Sequence, residues 1–361
     1  MFEMQEIKKL FFELLEIDSP SGFEEPMMKK LMEKLKPLCD EVYDTPRGNV
    51  VGVQHGTDPD APKIALAAHM DQVGFIVFNI NKEGFIRFRK LGGSVTRSIE
   101  GHQMKLLTDE EPILGVAGIK PGHITKKEEA NQVPPIEEMY IDIGTRSHEE
   151  TLEKGVRIGT PIVWNNTPIE LENDFIATSG ADDRAGLTAI ISLSRRLSTV
   201  SVPSTIYYVG TVEEEIGLRG AEVALHELDI DMAVAIDTCP SGWQPDVKMR
   251  DIYYEVGMGP CLQIGELGIR TRIGSQTIRK WLMKVAEENN LPYQTGLMHG
   301  GTDASAMQQT RSGIPSLAFS IPRRYSHSPV ETLSLRDLSN LVEILYKALE
   351  GLDKNFKLRR L

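Results

Sequence analysis

From about residue 72 to 165 the chain runs in short β-type segments, VGFIVFNI, GFIRFRKLGG, MKLLTD, PILGVAG and EEMYIDIG, separated by Gly and Pro. On either side the texture differs. KIALAAHMD, TIYYVGTV, MAVAID and PSLAFSI are apolar almost throughout, as strands covered on both faces are, and they alternate with stretches of helical period. These stretches are two amphipathic segments in the first forty residues, broken at Ser19-Pro20-Ser21-Gly22, then 178–198, 275–289 and 335–351. Strand–helix alternation needs a sheet with helices packed on it, and a strand-only block does not continue that pattern, so it folds as a unit of its own. The chain reads as one α/β domain, residues 1–71 and 166–361, interrupted by an inserted β-rich domain, 72–165.

Charge narrows the partners. Forty Lys and Arg against 52 Asp and Glu leave a net charge of −12, which gives no electrostatic case for binding nucleic acid or an anionic membrane. Cys39, Cys239 and Cys261 form no C-x-x-C pair, which argues against both a disulfide framework and a thiolate zinc site and for a reducing, cytoplasmic compartment. The opening MFEMQEIKKLFFELLEID mixes acids and bases among its apolar residues, and no run of roughly 18 uncharged apolar residues occurs, so neither secretion nor membrane spanning is expected.

Five clusters of acid or imidazole lie at the ends of strand-like runs or in the turns that follow, where open α/β sheets place their ligands. His69 ends KIALAAH, and Asp71, two residues on, is able to orient its imidazole as metal-binding histidines require; alone, the triplet fits an ordinary hydrogen-bonded histidine equally well. In SGADDRAG, one of Asp182 and Asp183 can cap the following helix with Arg184 as salt partner, but two adjacent carboxylates repel unless cations relieve them, and a shared carboxylate is the usual bridge between two metals. Glu213, Glu214 and Glu215 follow the apolar run TIYYVGTV directly; adjacent glutamates of this kind can divide the work, one binding metal and its neighbour accepting a proton. Asp237 ends MAVAID, where burial without a partner is costly. His327, in the Pro- and Arg-flanked RRYSHSPVE, is by itself only an imidazole in a loop. Together these residues supply enough nitrogen and oxygen donors for a pair of divalent ions, and the donor types accept Zn, Co and Mn alike.

The segments AAHMDQVGF, GIKPGHI, MYIDIGTRS, GADDRAG, TVEEEIGLRGA, AIDT, GTDAS and PRRYSHSPVE occur in an order that resembles the clan MH metallo-aminopeptidases of family 42, the tetrahedral or TET-type enzymes that include glutamyl and deblocking aminopeptidases. The likeness covers almost the whole chain. It implies a mixed-sheet, three-layer α/β catalytic domain with a barrel- or PDZ-like insert. It implies two divalent cations per subunit, one held by His69, Asp182 and Asp237 and the other by Asp182, Glu215 and His327. Asp71 then orients His69, Glu214 is the general base, Glu213 is not catalytic, and the Asp182–Asp183 peptide is cis with Asp183 structural. The substrates implied are peptides with a free N-terminus, and the assembly implied is a hollow dodecamer built from dimers paired through the insert. Two positions depart from the pattern: Gln72 stands where the family commonly has Glu, and Ser94-Val95-Thr96 follow Gly92-Gly93 where an aromatic residue is expected. Two other readings compete, a cellulase-like glycoside hydrolase, which uses paired carboxylates and needs neither histidine, and a non-catalytic scaffold.

Overall fold

The computed structural model describes residues 2–268 and 271–358. Eight helices are described: α1 (Phe2–Leu15), α2 (Glu25–Leu35), α3 (His148–Glu153), α4 (Ala181–Leu197), α5 (Arg219–Ala224), α6 (Gln276–Glu288), α7 (Asp303–Met307) and α8 (Leu335–Glu350). None of them is long and apolar enough to cross a membrane. The strands outside the inserted block are β1 (Glu41–Asp44), β2 (Val50–Gln54), β3 (Ile64–His69), β10 (Ile169–Leu171), β11 (Phe175–Thr178), β12 (Ile206–Thr211), β13 (Met232–Pro240), β14 (Cys261–Glu266), β15 (Arg272–Ile273), β16 (Gln294–Met298), β17 (Ser316–Arg324) and β18 (Glu331–Ser334). All twelve join one mixed sheet with the main order β1-β2-β12-β3-β13-β17-β18-β11-β10, while β14 branches from β17 and carries β15 and β16.

The four strands at its centre, β12, β3, β13 and β17, are parallel neighbours, so their carboxyl ends share one edge. Alternation along them builds three layers. Ile64 and Leu66 of β3 and Val234 and Ile236 of β13 pack with α1, α2, α4, α6 and α8, whereas Ala65, Ala67, Ala233 and Ala235 meet α5 and α7 on the other face. The small residues on that second face bring short helices close to the sheet.

Within the inserted block, β4 (Gly74–Ile80), β5 (Ile86–Leu91), β6 (Gln103–Leu106), β7 (Ile113–Ala117), β8 (Ile141–Asp142) and β9 (Pro161–Trp164) close a barrel in the order β4-β5-β8-β7-β6-β9. Its separate core includes Phe75, Phe88, Ile141 and Trp164, with the Phe75 ring edge-on to both Phe88 and Trp164. EEMYIDIG, read as a full strand, contributes only the two residues of β8. The run RRY, read as loop, begins inside β17, which extends through Arg324 and so carries a buried arginine into the site.

Candidate metal centre

His69 ends β3, and Thr211, which ends β12, pairs with it in register. The imidazole is buried, with Nδ1 3.0 Å from the Asp71 carbonyl oxygen and 3.4 Å from its carboxylate, and Nε2 3.2 Å from Asp182 Oδ1 and 4.0 Å from Asp237 Oδ1. Asp71 is fastened in turn: its carboxylate accepts from the Ser21 hydroxyl at 2.6 Å and from the amides of Glu214 and Glu215 at 2.9 and 3.2 Å. Burial alone pushes the Asp71 carboxyl up, but His69 and these donors outweigh it and hold the group below the usual carboxylate range. Those two amides place the Glu214–Glu215 turn against the end of β3.

The Asp182–Asp183 peptide is cis, and neither residue has helical φ/ψ although both fall within the first turn of α4. Asp183 Oδ1 accepts from the Gly186 amide at 2.8 Å, which is a helix cap; a Cβ at position 186 would lie 2.2 Å from the same carboxylate, so glycine is required there. Asp182 faces both imidazoles, Oδ1 toward His69 and Oδ2 toward His327 Nε2 at 3.3 Å. Glu215 Oε2 lies 3.4 Å from the same His327 nitrogen. Arg184 is not the salt partner expected for the aspartates. It is fully buried and turns to the carbonyls of Met70 and Ile17, the Ser19 hydroxyl and Gln72 Oε1.

Three overlapping donor groups fit the chemistry of divalent ions. Asp182, Glu215 and His327 form one set within 4.8 Å, His69 and Asp237 form another with Asp183 rather than Asp182 as third member by distance, and His69 also groups with Glu214 and Glu215. Asp182 Oδ1 nevertheless lies 3.2 Å from His69 Nε2 and accepts from the Thr238 hydroxyl at 3.0 Å, while Arg323 Nη2 ion-pairs with its Oδ2 at 2.5 Å. Glu215 Oε1 and Asp183 Oδ2 are buried without a hydrogen-bond partner, a state that costs about 1–3 kcal/mol per atom unless something else coordinates them. Burial, then crowding by like charges, pushes the carboxyls of Glu214 and Asp237 well up and that of Glu215 to about 7. The Glu215 charge, working against burial, pushes His327 up to about 9, and Asp182 and Asp71 raise His69 in the same way. Buried donors crowded in this way are stabilised by a cation in their midst, and the residues present fit the metals that the donor types imply.

Sequence reasoning missed Arg323, Glu331 and Thr238. Arg323 forks to Asp182, to Glu331 Oε1 at 2.5 Å and to the Thr238 hydroxyl at 2.6 Å, and Glu331 accepts the backbone amides of His327 and Asp182. The signal was present in PRRYSHSPVE, where an arginine ends an apolar strand and a glutamate follows the histidine by four residues. Asp303 of GTDAS was passed over too; it is buried, accepts from the Thr211 hydroxyl and is pushed up to about 6 by burial. Glu213 stays outside the cluster, paired with Arg47 at 2.5 Å. A cavity of about 610 Å³ opens onto the arrangement, lined by Asp182, Glu214, Glu215, Asp237, Arg323 and His327 among others.

Imidazoles and carboxylates that converge at the carboxyl ends of parallel strands, on the floor of an open cavity, define a metal-dependent hydrolase. The chain belongs to the M42 glutamyl aminopeptidase family, whose pattern matches residues 48–344. It is 34% identical to the lysyl aminopeptidase of Pyrococcus furiosus over 95% of this chain and 97% of that protein. Among solved structures it resembles aminopeptidase APDkam598 of Desulfurococcus kamchatkensis, with a TM-score of 0.92 and 31% identity over 98% of this chain and 97% of that one. It also resembles the TET1 peptidase of Pyrococcus horikoshii, which can assemble into a tetrahedron or a large octahedral shell, with a TM-score of 0.84 and 31% identity over 97% and 100%. The chain is a metal-dependent aminopeptidase. Family membership removes the glycoside-hydrolase and scaffold readings, and the former leaves the buried His69 and the half-buried His327 without a use.

Proposed function

We propose that this aminopeptidase takes peptides with a free N-terminus and works with two divalent cations, Zn, Co or Mn, to both of which Asp182 would contribute. His69 and Asp237 would complete one site, with Asp71 orienting His69; Glu215 and His327 would complete the other. The observation that carries this reading is that Asp182, Glu214, Glu215, Asp237 and His327 line one cavity, with His69 directly behind them, its Nε2 3.2 Å from Asp182 Oδ1. When bound, the cations supply an acidified water and positive charge where the scissile carbonyl becomes an oxyanion. Glu214 takes the proton of the attacking water and returns it to the leaving amine. Burial and the neighbouring carboxylates raise its pKa, which favours holding a proton between the two halves of that task. Asp71 keeps its charge and fixes the His69 ring, and Asp183 caps α4. The resemblance to TET1 supports homo-oligomers, which we assign as dodecamers built from dimers that pair through the barrel of 72–165. The three free cysteines suit a reducing cytoplasm.

The test is digestion of a mixed set of free and N-acetylated peptides, followed by mass spectrometry, with Co or Zn added and with a chelator. Stepwise shortening of free N-termini only, abolished by chelation, is expected. Glu214→Gln is expected to keep its metal content and lose ~10²–10⁴-fold of its turnover. Shortening that survives chelation, or full activity of Glu214→Gln, overturns the reading.

A further inference from the structure

Gly92 and Gly93 follow β5 in the inserted block, far in sequence from every candidate ligand, yet they lie against two of them. A Cβ at Gly92, where φ is +84°, would approach the Glu215 Cβ to 3.2 Å, and one at Gly93 would come within 2.9 Å of His327 Nδ1. The Gly93 carbonyl oxygen is 3.3 Å from that same nitrogen, and the Val95 amide donates to the His327 carbonyl at 3.0 Å. His327 needs such restraint. Its φ of +58° is a left-handed conformation that a residue with a side chain holds only when its surroundings impose it, and Tyr325, two residues earlier, has the same φ. The turn is itself anchored, because Lys90 Nζ donates to the Ser94 carbonyl at 2.7 Å and to Thr96 Oγ1 at 2.6 Å.

We infer that the Gly93–Val95 turn of the inserted block is the positioning element for His327: Gly93 O accepts the Nδ1 proton, and the Val95 amide fixes the backbone, so that Nε2 is aimed at Asp182 and Glu215 as a cation ligand. This rests on the reading of His327 as a ligand. A metal-binding imidazole needs a partner on its other nitrogen to set tautomer and ring plane, and loss of such a partner typically weakens binding 10–100-fold. His69 obtains that partner from Asp71 within its own strand end, whereas His327 obtains it from another part of the fold. The block that lies between the two portions of the sheet domain is thereby part of the metal centre, and displacement of its Gly93 turn lowers the affinity of one cation and not of both. The Ser94-Val95-Thr96 departure leaves this role intact, since Gly93 and Val95 act through backbone atoms.

The experiment is calorimetric titration of the metal-stripped full chain with Co, together with the visible spectrum of the bound ion. The variants are Gly93→Ala, which drives a methyl group at the ring; Lys90→Met, which only frees the turn; and Gly122→Ala as control, because nothing lies within 4 Å of that position. Gly93→Ala is expected to bind one cation as the unaltered protein does and the other at least ~10-fold more weakly, with an altered Co spectrum and with turnover recovered at excess metal. Lys90→Met shows a smaller loss of the same kind, and the control none. Folded Gly93→Ala with both affinities unchanged, or with both equally reduced, overturns the inference. A failure of the unaltered protein to bind two cations instead defeats the dinuclear reading on which it rests.

Discussion

The two imidazoles at the centre are held in contrasting ways. His69 sits at the end of a central parallel strand, and the partner of its Nδ1 is local: Asp71 two residues on, itself held by the Glu214–Glu215 turn folded over it. His327 lies three residues past the end of β17, half-buried and left-handed, with support from Glu331, Asp182 and the Gly93 turn. The first half of the site is fixed by the sheet, and the second is assembled by long-range contacts onto it. Asp182 joins them by giving one oxygen to each, and removal of its charge is the largest single perturbation available. Asp182→Asn is expected to lose high-affinity binding of both cations and ~10³-fold or more in kcat/KM, as several kcal/mol of charge stabilisation disappear. Metal analysis after desalting checks it; a variant that retains two tightly held ions breaks the assignment of Asp182 as the link.

The contrast predicts a one-sided effect for the Arg323–Glu331 pair. Arg323 divides its charge between Glu331 and Asp182 Oδ2, the oxygen that faces His327. In Glu331→Gln the guanidinium keeps only Asp182 as charged partner and grips that oxygen harder. The cation on the His327 side is then expected to bind ~10–100-fold more weakly, with the His69 side unchanged. Equal weakening of both sides in a two-site titration shows that the halves are not independent.

The same contrast explains what could be read from the chain. Ile64–His69 is apolar on both faces and stops at an imidazole, so both the strand and the direction of His69 follow from local pattern. The cap at Asp183 is local as well. Nothing local pairs Arg323 with Asp182, 141 residues away, or Gly93 with His327, 234 residues away; only the folded sheet and barrel bring these together. Arg184 misled for a related reason. An arginine next to two aspartates suggests an ion pair, but at the start of α4 its side chain reaches Ser19 and Gln72 instead.

That turn leads to the smallest expected effect, and one confined to the His69 half. Arg184 is fully buried, its acceptors are the neutral Met70 and Ile17 carbonyls, the Ser19 hydroxyl and Gln72 Oε1, and burial depresses its pKa to about 10. A buried cation whose hydrogen bonds all go to neutral acceptors is costly, and the carboxylates of Asp18, Asp71, Asp183 and Asp182, which favour its charge from nearby without bonding to it, do not offset burial. Gln72→Glu places a carboxylate where Gln72 Oε1 already accepts from Arg184 at 2.6 Å. The new pair is expected to raise Tm by about 1–4 °C, because most of the desolvation penalty has already been incurred by the arginine. The sign with pH follows from linkage. The pairing lowers the folded-state pKa of the introduced glutamate, so the gain is fully present above the ordinary glutamate value of roughly 4.3 and is lost as pH falls through the depressed one. One residue from Asp71 and three from His69, the added negative charge also favours the cation on that side, by severalfold rather than by orders of magnitude. If the tightening appears instead at the His327 side, or if Tm falls at neutral pH, then the local frame around His69 is not the closed unit that the contrast between the two imidazoles requires.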